Sequence, residues 1–281
     1  MGTIKSFITF EELNQWRSEL GASLALVPTM GAIHRGHLAL VEEAKKHADN
    51  VIVSIFVNPL QFGPNEDFSK YPRTLSEDIA KLEAVGVDAV FLPNTALMYP
   101  ENFQTKIINI EMSSILCGAS RPGHFDGVLT VVNKLLMVVR PDFAVFGKKD
   151  YQQYRIIGQM CSDLNIHVGI IAVEIIRDED GLALSSRNIY LSDDQRQVAL
   201  RIPQAIRKVS SLYEQGERNV SVFLANARDI LQSDAQLTVE YSEIRAQNRL
   251  AGLSAALTEP SVFLIAAKVG STRLIDNVEL G

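Results

Sequence analysis

Between about residues 23 and 176 the chain alternates two hydrophobic periods, and this limits the folds open to it more than any other feature. "SLALVPT" and "NVIVSIFVN" read as short buried strands, as do "VDAVFLP", "PDFAVFG" and "HVGIIAVEII". Between them lie segments of helical spacing. In "HLALVEEAKKHA" the apolar residues Leu38, Leu40, Val41 and Ala44 recur at the interval of one helix face. "TLSEDIAKLEAVG" predicts a helix with Thr74 as N-cap and Gly86 as its stop. "GVLTVVNKLLMVVR" and "DYQQYRIIGQMCSDL" complete the set. Apolar strands separated by helices imply a parallel sheet covered on both faces, so the fold class is α/β and Rossmann-like.

From about Ile176 the pattern changes. "RDEDGLALSSRN" is polar and turn-rich, with a hairpin signal at Asp180-Gly181. Ser192 is placed to cap a helix running to about Gln215; another helix and the strands "LTVEYSEIRA", "SVFLIAAKVG" and "TRLIDNVEL" follow. The expected organisation is a nucleotide-binding domain over residues 1–175 and a smaller α+β domain over 176–281.

Composition excludes some functions. With 47% hydrophobic residues the chain can bury a sizeable core, and a net charge of −6 disfavours a general binder of nucleic acid or anionic membrane. No apolar run is long enough to span a bilayer. Cys117 and Cys161 form no CxxC pair, and "MGTIKSFITF" lacks the features of a signal peptide, so a cytoplasmic protein is expected. Gly2 with Ser6 fits the short myristoylation pattern, which chance matches often supply.

Three segments concentrate polar chemistry where predicted strands meet helices, the place where parallel sheets collect ligands. In "PTMGAIHRGH" two glycines, Gly31 and Gly36, permit close backbone approach, and a helix N-terminus favours an anion. His34 and His37, one turn apart, suit a phosphate; an exposed histidine pair and half of a metal site are the other readings. In "FGKKDYQQ", Lys148 and Lys149 follow Gly147 at a helix start, where cations are unfavourable unless an anion joins them. "GLALSSRN" offers Ser185, Ser186 and Arg187. Asn58, Gln61 and Gln153 are neutral amides able to orient a hydroxy acid. The GxGxxG and Walker A patterns are absent.

Together with "FVNPLQFGPNEDFSKYPRT", "RPGHFDGV" and "RLIDN", these blocks resemble, in order and over nearly the whole chain, the pantoate–β-alanine ligase (pantothenate synthetase) family of HIGH-motif nucleotidyltransferases. The resemblance implies ATP-dependent condensation of pantoate with β-alanine through a pantoyl-adenylate, with magnesium, in a homodimer. It also implies that the C-terminal domain closes over the active site. ATP contacts are implied for Met30, Gly31, Ala32, Ile33, His34, Arg35, Gly36 and His37, for Gly147, Lys148, Lys149 and Asp150, and for Ile176, Leu184, Ser185, Ser186 and Arg187. His37 matches the catalytic acid; His34, Lys149, Ser185, Ser186 and Arg187 are its expected catalytic companions. Gln61 matches a contact to both pantoate and β-alanine, Gln153 a contact to pantoate, and Asp78 a carboxylate associated with magnesium carried on the ATP phosphates. Asn58 is expected beside the substrate. Lys148 and Asp126 depart from the family pattern. A superfamily transferase without an amide product, or a nucleotide-binding protein without turnover, are the competing expectations.

Overall fold

The computed structural model describes residues 4–64 and 66–281; Gly2 of the myristoylation pattern and Asn65 of the long proline-bearing loop lie outside them. The chain divides into two compact units. The first takes residues up to Lys148 together with Ile156–Glu174, the second Lys149–Arg155 together with Ile175–Gly281. The expected boundary after residue 175 falls one position beyond this division, and the seven-residue piece 149–155 is grouped with the second unit.

The first unit runs β1 (Lys5–Phe7), α1 (Phe10–Glu19), β2 (Leu24–Thr29), α2 (Arg35–His47), β3 (Asn50–Ile55), α3 (Leu75–Ala84) and β4 (Ala89–Phe91). It continues through two single-turn helices, α4 (Thr95–Met98) and α5 (Cys117–Ser120), then α6 (His124–Val139) and β5 (Phe143–Gly147). Helix α7 (Tyr151–Asp163) begins in the piece grouped with the second unit, and β6 (Gly169–Val173) ends the first. The six strands form one parallel sheet in the order β1-β4-β3-β2-β5-β6. The apolar runs Leu24–Val27 and Val51–Val53 are fully buried, as expected for strands covered on both faces. Helix α6 is apolar on most of its circumference and correspondingly buried, which its near-continuous apolar sequence foretold.

The strand order sets the position of the site. From β2 the chain moves one way to β3 and β4, then returns to place β5 on the other side of β2. The carboxyl ends of β2 and β5 therefore flank a topological switch point, where the loops diverge and leave a crevice. Residues 30–37 leave the first strand and Gly147-Lys148 the second.

The second unit contains α8 (Asp193–Ala199), α9 (Arg201–Glu214), α10 (Val220–Leu231) and an antiparallel sheet of β7 (Leu237–Ala246), β8 (Ser261–Val269) and β9 (Thr272–Leu280). Val269 pairs with Thr272, so a two-residue turn joins the last two strands, with Gly270 at φ +57°. Ser192 caps α8 in a reciprocal box with Gln195. The single helix expected from Ser192 to Gln215 is instead two, interrupted at Leu200. Pro203 is the reason. It has no N–H for the carbonyl four residues back, and its ring crowds that carbonyl, so a new helix starts just before it. The core between helices and sheet includes Ile202, Val209, Phe223, Phe263 and Ile265.

Phe223 is completely buried in that core. Phe223→Ala is expected to remove about 3–5 kcal/mol from the stability of the second unit. Urea unfolding followed by near-UV dichroism checks this; an unchanged midpoint contradicts the packing described.

Candidate active site

The loop after β2 holds two successive left-handed residues, Gly31 at φ +83° and Ala32 at φ +51°. The second is uphill for a residue with a Cβ and needs an outside restraint. Asp78, in the first turn of α3, supplies it. Its carboxylate accepts the N–H of Ala32 at 2.9 Å and that of Ile33 at 2.7 Å. Thr74 donates its hydroxyl to the same carboxylate at 3.2 Å, so it sits at the expected N-cap position of α3 without bonding a helix N–H. Lys81, one turn further along α3, donates to the carbonyl of Ile33 at 2.9 Å. A Cβ on Gly31 would lie 3.0 Å from an Asp78 carboxylate oxygen, which accounts for glycine there.

This arrangement bears on the expected magnesium role of Asp78. The carboxylate is only 1% exposed and both its oxygens already accept donors from the loop and helix. Among the described residues no group of three or more His, Cys, Asp or Glu is placed to hold a metal. The donor set does not fit a protein-built magnesium site, and Asp78 acts as the brace of the loop.

The brace delivers the chain to the start of α2. His34 is the N-cap of that helix in extended conformation, and its Nδ1 accepts the N–H of Gly36 at 3.1 Å. His37 returns the arrangement, its Nδ1 accepting the N–H of His34 at 3.4 Å. The pair forms a capping box made of imidazoles, with rings stacked at 4.0 Å. Two consequences follow. The backbone N–H groups expected to be open for an anion are in part already satisfied by the histidines. A neutral imidazole that accepts at Nδ1 carries its proton on Nε2, so both rings are held as Nε2–H donors.

Gln61 ends a short 3-10 turn, Pro59–Gln61, in the same unit. Its amide nitrogen donates to the Met30 sulfur at 3.2 Å, which brings Gln61 to the loop after β2. Its amide oxygen accepts from Asn58 at 3.1 Å. Asn58 differs from expectation. It is 1% exposed, caps the turn, donates to the carbonyl of Gly127 at 3.1 Å and accepts the Tyr99 hydroxyl at 2.8 Å. Its polar atoms are engaged inside the protein, so it orients Gln61 and does not face a substrate. Burial pushes the Tyr99 phenol well above its ordinary pKa, so it remains a donor at any working pH.

Sequence reasoning gave no role to the groups that hold the backbone of Gln61. His124 contacts the Gln61 carbonyl through Nδ1 at 2.8 Å, and Arg121 donates to it at 3.3 Å. Arg121 also makes a two-point ion pair with Glu66, both contacts at 2.6 Å. Burial alone would raise the Glu66 pKa, but the Arg121 guanidinium more than offsets this and holds the carboxyl below its usual range. The pair therefore contributes fully above the ordinary carboxyl pKa, and the contribution is lost as pH falls through the depressed value. Gly127 lies within the same cluster: a Cβ there would sit 2.3 Å from the carbonyl oxygen of Leu60. The block "RPGHFDGV" was the available signal, although nothing in it says which backbone atom it grips.

Gly147 ends β5, and a Cβ on it would come no nearer than 3.8 Å to Leu40 of α2, an ordinary contact. Lys148, expected from the sequence to depart from the family pattern, pairs with Glu174 at 2.5 Å, so its charge is partly balanced within the first unit. The remaining expected residues lie in the second unit. Lys149 is 3.9 Å from the Asp150 carboxylate, and its carbonyl accepts from Asn277 at 3.1 Å. Gln153, in the first turn of α7, is partly buried. Ile176 accepts the N–H of Leu184 at 2.9 Å, and Arg177 bridges to Ala183, closing the hairpin predicted at Asp180-Gly181. Ser185 caps the following 3-10 turn by accepting the N–H of Arg187 at 3.2 Å, leaving its own hydroxyl proton to donate. Ser186 and Arg187 lie in that turn.

Comparison with known proteins agrees in direction. A family model described as pantoate-beta-alanine ligase matches residues 3–279. A pantothenate synthetase of Trichlorobacter lovleyi is 51% identical over 261 residues, covering 93% of this chain and 92% of that one. One from Pelobacter propionicus is 49% identical with the same coverage. Among solved structures, pantothenate synthetase of Thermus thermophilus aligns with a TM-score of 0.94 at 40% identity over 99% of both chains. A Francisella tularensis pantoate-beta-alanine ligase, described as complexed with beta-gamma ATP and beta-alanine, aligns at 0.80 and 34% identity over 98% of this chain and 97% of that one.

The brace has a direct test. Asp78→Asn keeps the size of the side chain but turns an NH2 group toward a backbone donor. Amide hydrogen exchange at Ala32 and Ile33 is expected to accelerate at least about tenfold, the equivalent of losing roughly 1.4 kcal/mol of local restraint. Unchanged protection at both amides contradicts the role assigned to Asp78.

Proposed function

Because the matches of family and relatives extend over nearly the whole chain, it belongs to the pantoate–β-alanine ligase family, and we propose that it works through a pantoyl-adenylate. The chain is an ATP-dependent ligase that condenses (R)-pantoate with β-alanine to give pantothenate.

The chemistry explains why ATP is needed. A carboxylate is ionised at neutral pH and is a poor acyl donor to an amine. A carboxylate oxygen of pantoate attacks the α-phosphorus of ATP, the bond to the β-phosphate oxygen breaks, and pyrophosphate leaves. The amine of β-alanine then attacks the acyl carbon, the bond to AMP breaks, and the nitrogen loses a proton as the amide forms. The first step brings two anions together, so its barrier is lowered by donors aimed where charge collects on phosphate.

The observation that carries this reading is the histidine pair at the sheet's switch point, whose two Nδ1 atoms cap the start of α2 and so fix the place and orientation of both rings. We assign His34 and His37 to the phosphates of ATP, with His37 as the acid toward the departing pyrophosphate. Met30–Ile33, Arg35 and Gly36 complete the nucleotide loop of the first unit, with Gly147 and Lys148. Lys149, Asp150, Ile176 and Leu184–Arg187 are the nucleotide residues of the second unit, with Lys149, Ser185, Ser186 and Arg187 as its donors to phosphate. Gln61 and Gln153 hold pantoate, and Gln61 also β-alanine. Neutral amides suit this task because an arginine clamp would stabilise the carboxylate in the ground state and weaken it as a nucleophile. The engagement of Asp78 supports the view that magnesium arrives on the nucleotide's phosphates and not in a protein cage. Closure of the residue 176–281 domain over the site, a cytoplasmic location and a homodimer are part of the same reading. Among the described residues no helix is long and apolar enough to cross a membrane, and the exposed side chains of Ile108, Ile110 and Met137 offer apolar surface for a second copy.

His37→Ala and Lys149→Ala are each expected to lower turnover about 10²-fold, the scale for removing one charge-stabilising donor. Near-normal rates remove them from the mechanism. With carboxyl-¹⁸O pantoate, label is expected in AMP; label in phosphate or pyrophosphate excludes the adenylate. Pyrophosphate release that needs pantoate, with AMP release that needs β-alanine, separates the ligase from a transferase lacking the amide step.

A further inference from the structure

The block "RLIDN" marks this chain as a relative, yet the reading above gives it no task. In the structure it occupies the first half of β9, in the second unit. Two adjacent residues there, Asp276 and Asn277, are 2% and 4% exposed. Buried polar side chains in the middle of a strand are costly unless each finds partners. Here the partners are the two chain segments assigned to ATP in this unit.

Asn277 donates its amide N–H to the carbonyl of Lys149 at 3.1 Å. Glu279, two residues on and so on the same face of the strand, accepts the hydroxyl of Tyr151 at 3.1 Å. Residues 149–151 are thus gripped from one edge of β9, once through the backbone and once through a side chain. Asp276 takes the other segment. It accepts two hydrogen bonds from Arg177, at 2.7 and 2.9 Å, in the bidentate form that fixes both distance and plane. Arg177 follows Ile176, bridges to Ala183 and donates to the carbonyl of Gly181 at 3.1 Å, so holding Arg177 holds the hairpin that leads into Leu184–Arg187. The Asp276 carboxylate also accepts the N–H of Asn277 at 2.8 Å, which links the two grips.

We infer that Asp276 and Asn277 are positioning residues for the adenylation step: side by side on one strand, they fix the lysine segment and the Ser-Ser-Arg hairpin so that the donors to phosphate keep a set spacing. Neither touches ATP. Their effect passes through Lys149 and Arg187, and the inference rests on the assignment of those two residues to the nucleotide. A strand is the right support for such a pair, since a displacement of about 1 Å in a donor costs on the order of 10²-fold in rate.

Two double-mutant cycles test this, read as kcat and KM for ATP, pantoate and β-alanine, with melting temperature measured on every variant. Asn277→Ala is expected to lower kcat/KM for ATP about 10- to 100-fold, while KM for pantoate stays within about twofold. In the Lys149→Ala background the same change is expected to cost less than about threefold, because the group it positions is gone. Asp276→Asn is expected to behave likewise against Arg187→Ala. Asn277→Asp keeps the shape and removes the donor, so it should match Asn277→Ala, and it answers the question if the alanine variant does not fold. Additive losses overturn the inference, as do variants with a lower melting temperature and normal ATP kinetics. If Lys149→Ala and Arg187→Ala are themselves near normal, the assignment beneath the inference fails first, and the single variants show it.

Discussion

A buried carboxylate that accepts two backbone N–H groups is the restraint on which the loop after β2 depends. Asp78 holds Ala32 and Ile33 at distances of 2.9 and 2.7 Å. Without it, the left-handed turn through Gly31 and Ala32 has little reason to persist, since each such residue with a Cβ is strained. With it, the chain leaves β2 in one direction and presents His34 as the cap of α2. The imidazole capping box then fixes which ring nitrogen carries the proton. One buried carboxylate thereby sets the path of the chain into the two capping histidines.

The same economy governs the amides. Asn58, expected beside the substrate, is instead fully enclosed; its work is to present Gln61. Tyr99, Gly127 and Asn58 secure the side-chain end of that glutamine, while His124 and Arg121 secure its backbone carbonyl. A neutral amide binds a carboxylate weakly and from many orientations. Holding it at both ends converts a weak group into a directed one, because the ordering entropy is met during folding and not at binding.

What could be read from the sequence divides along this line. Strands β2 to β6, the long helices and the hairpin at Asp180-Gly181 follow from local periodicity and turn chemistry, which act within a few residues. The break at Leu200 was readable from Pro203 but was outweighed by the apolar period running through it. Strand β1 left little signal, since its three residues are mostly exposed and owe their pairing to β4. Thr9 and Glu12 form a capping box that announces α1 in the spacing alone. At the site, the residue types were legible and their division of labour was not. Asp78 grips a backbone 45 positions away, Asn58 one 69 away, and Asn277 one 128 away. No local pattern encodes such partners.

That distance also bears on why residues engaged with other parts of the chain, such as Asn58, His124 and Asp276, sit inside the blocks that carry the family resemblance. A donor to phosphate is useful only at a fixed place, and the chain can fix a place only by tying it to an element that does not move. In the first unit the tie is a helix turn carrying Asp78 and Lys81; in the second it is a central stretch of β9 carrying Asp276 and Asn277. Both use a carboxylate, or its amide counterpart, facing backbone or guanidinium. Such groups are strong enough when buried to hold a loop, and breaking one leaves its partner unsatisfied.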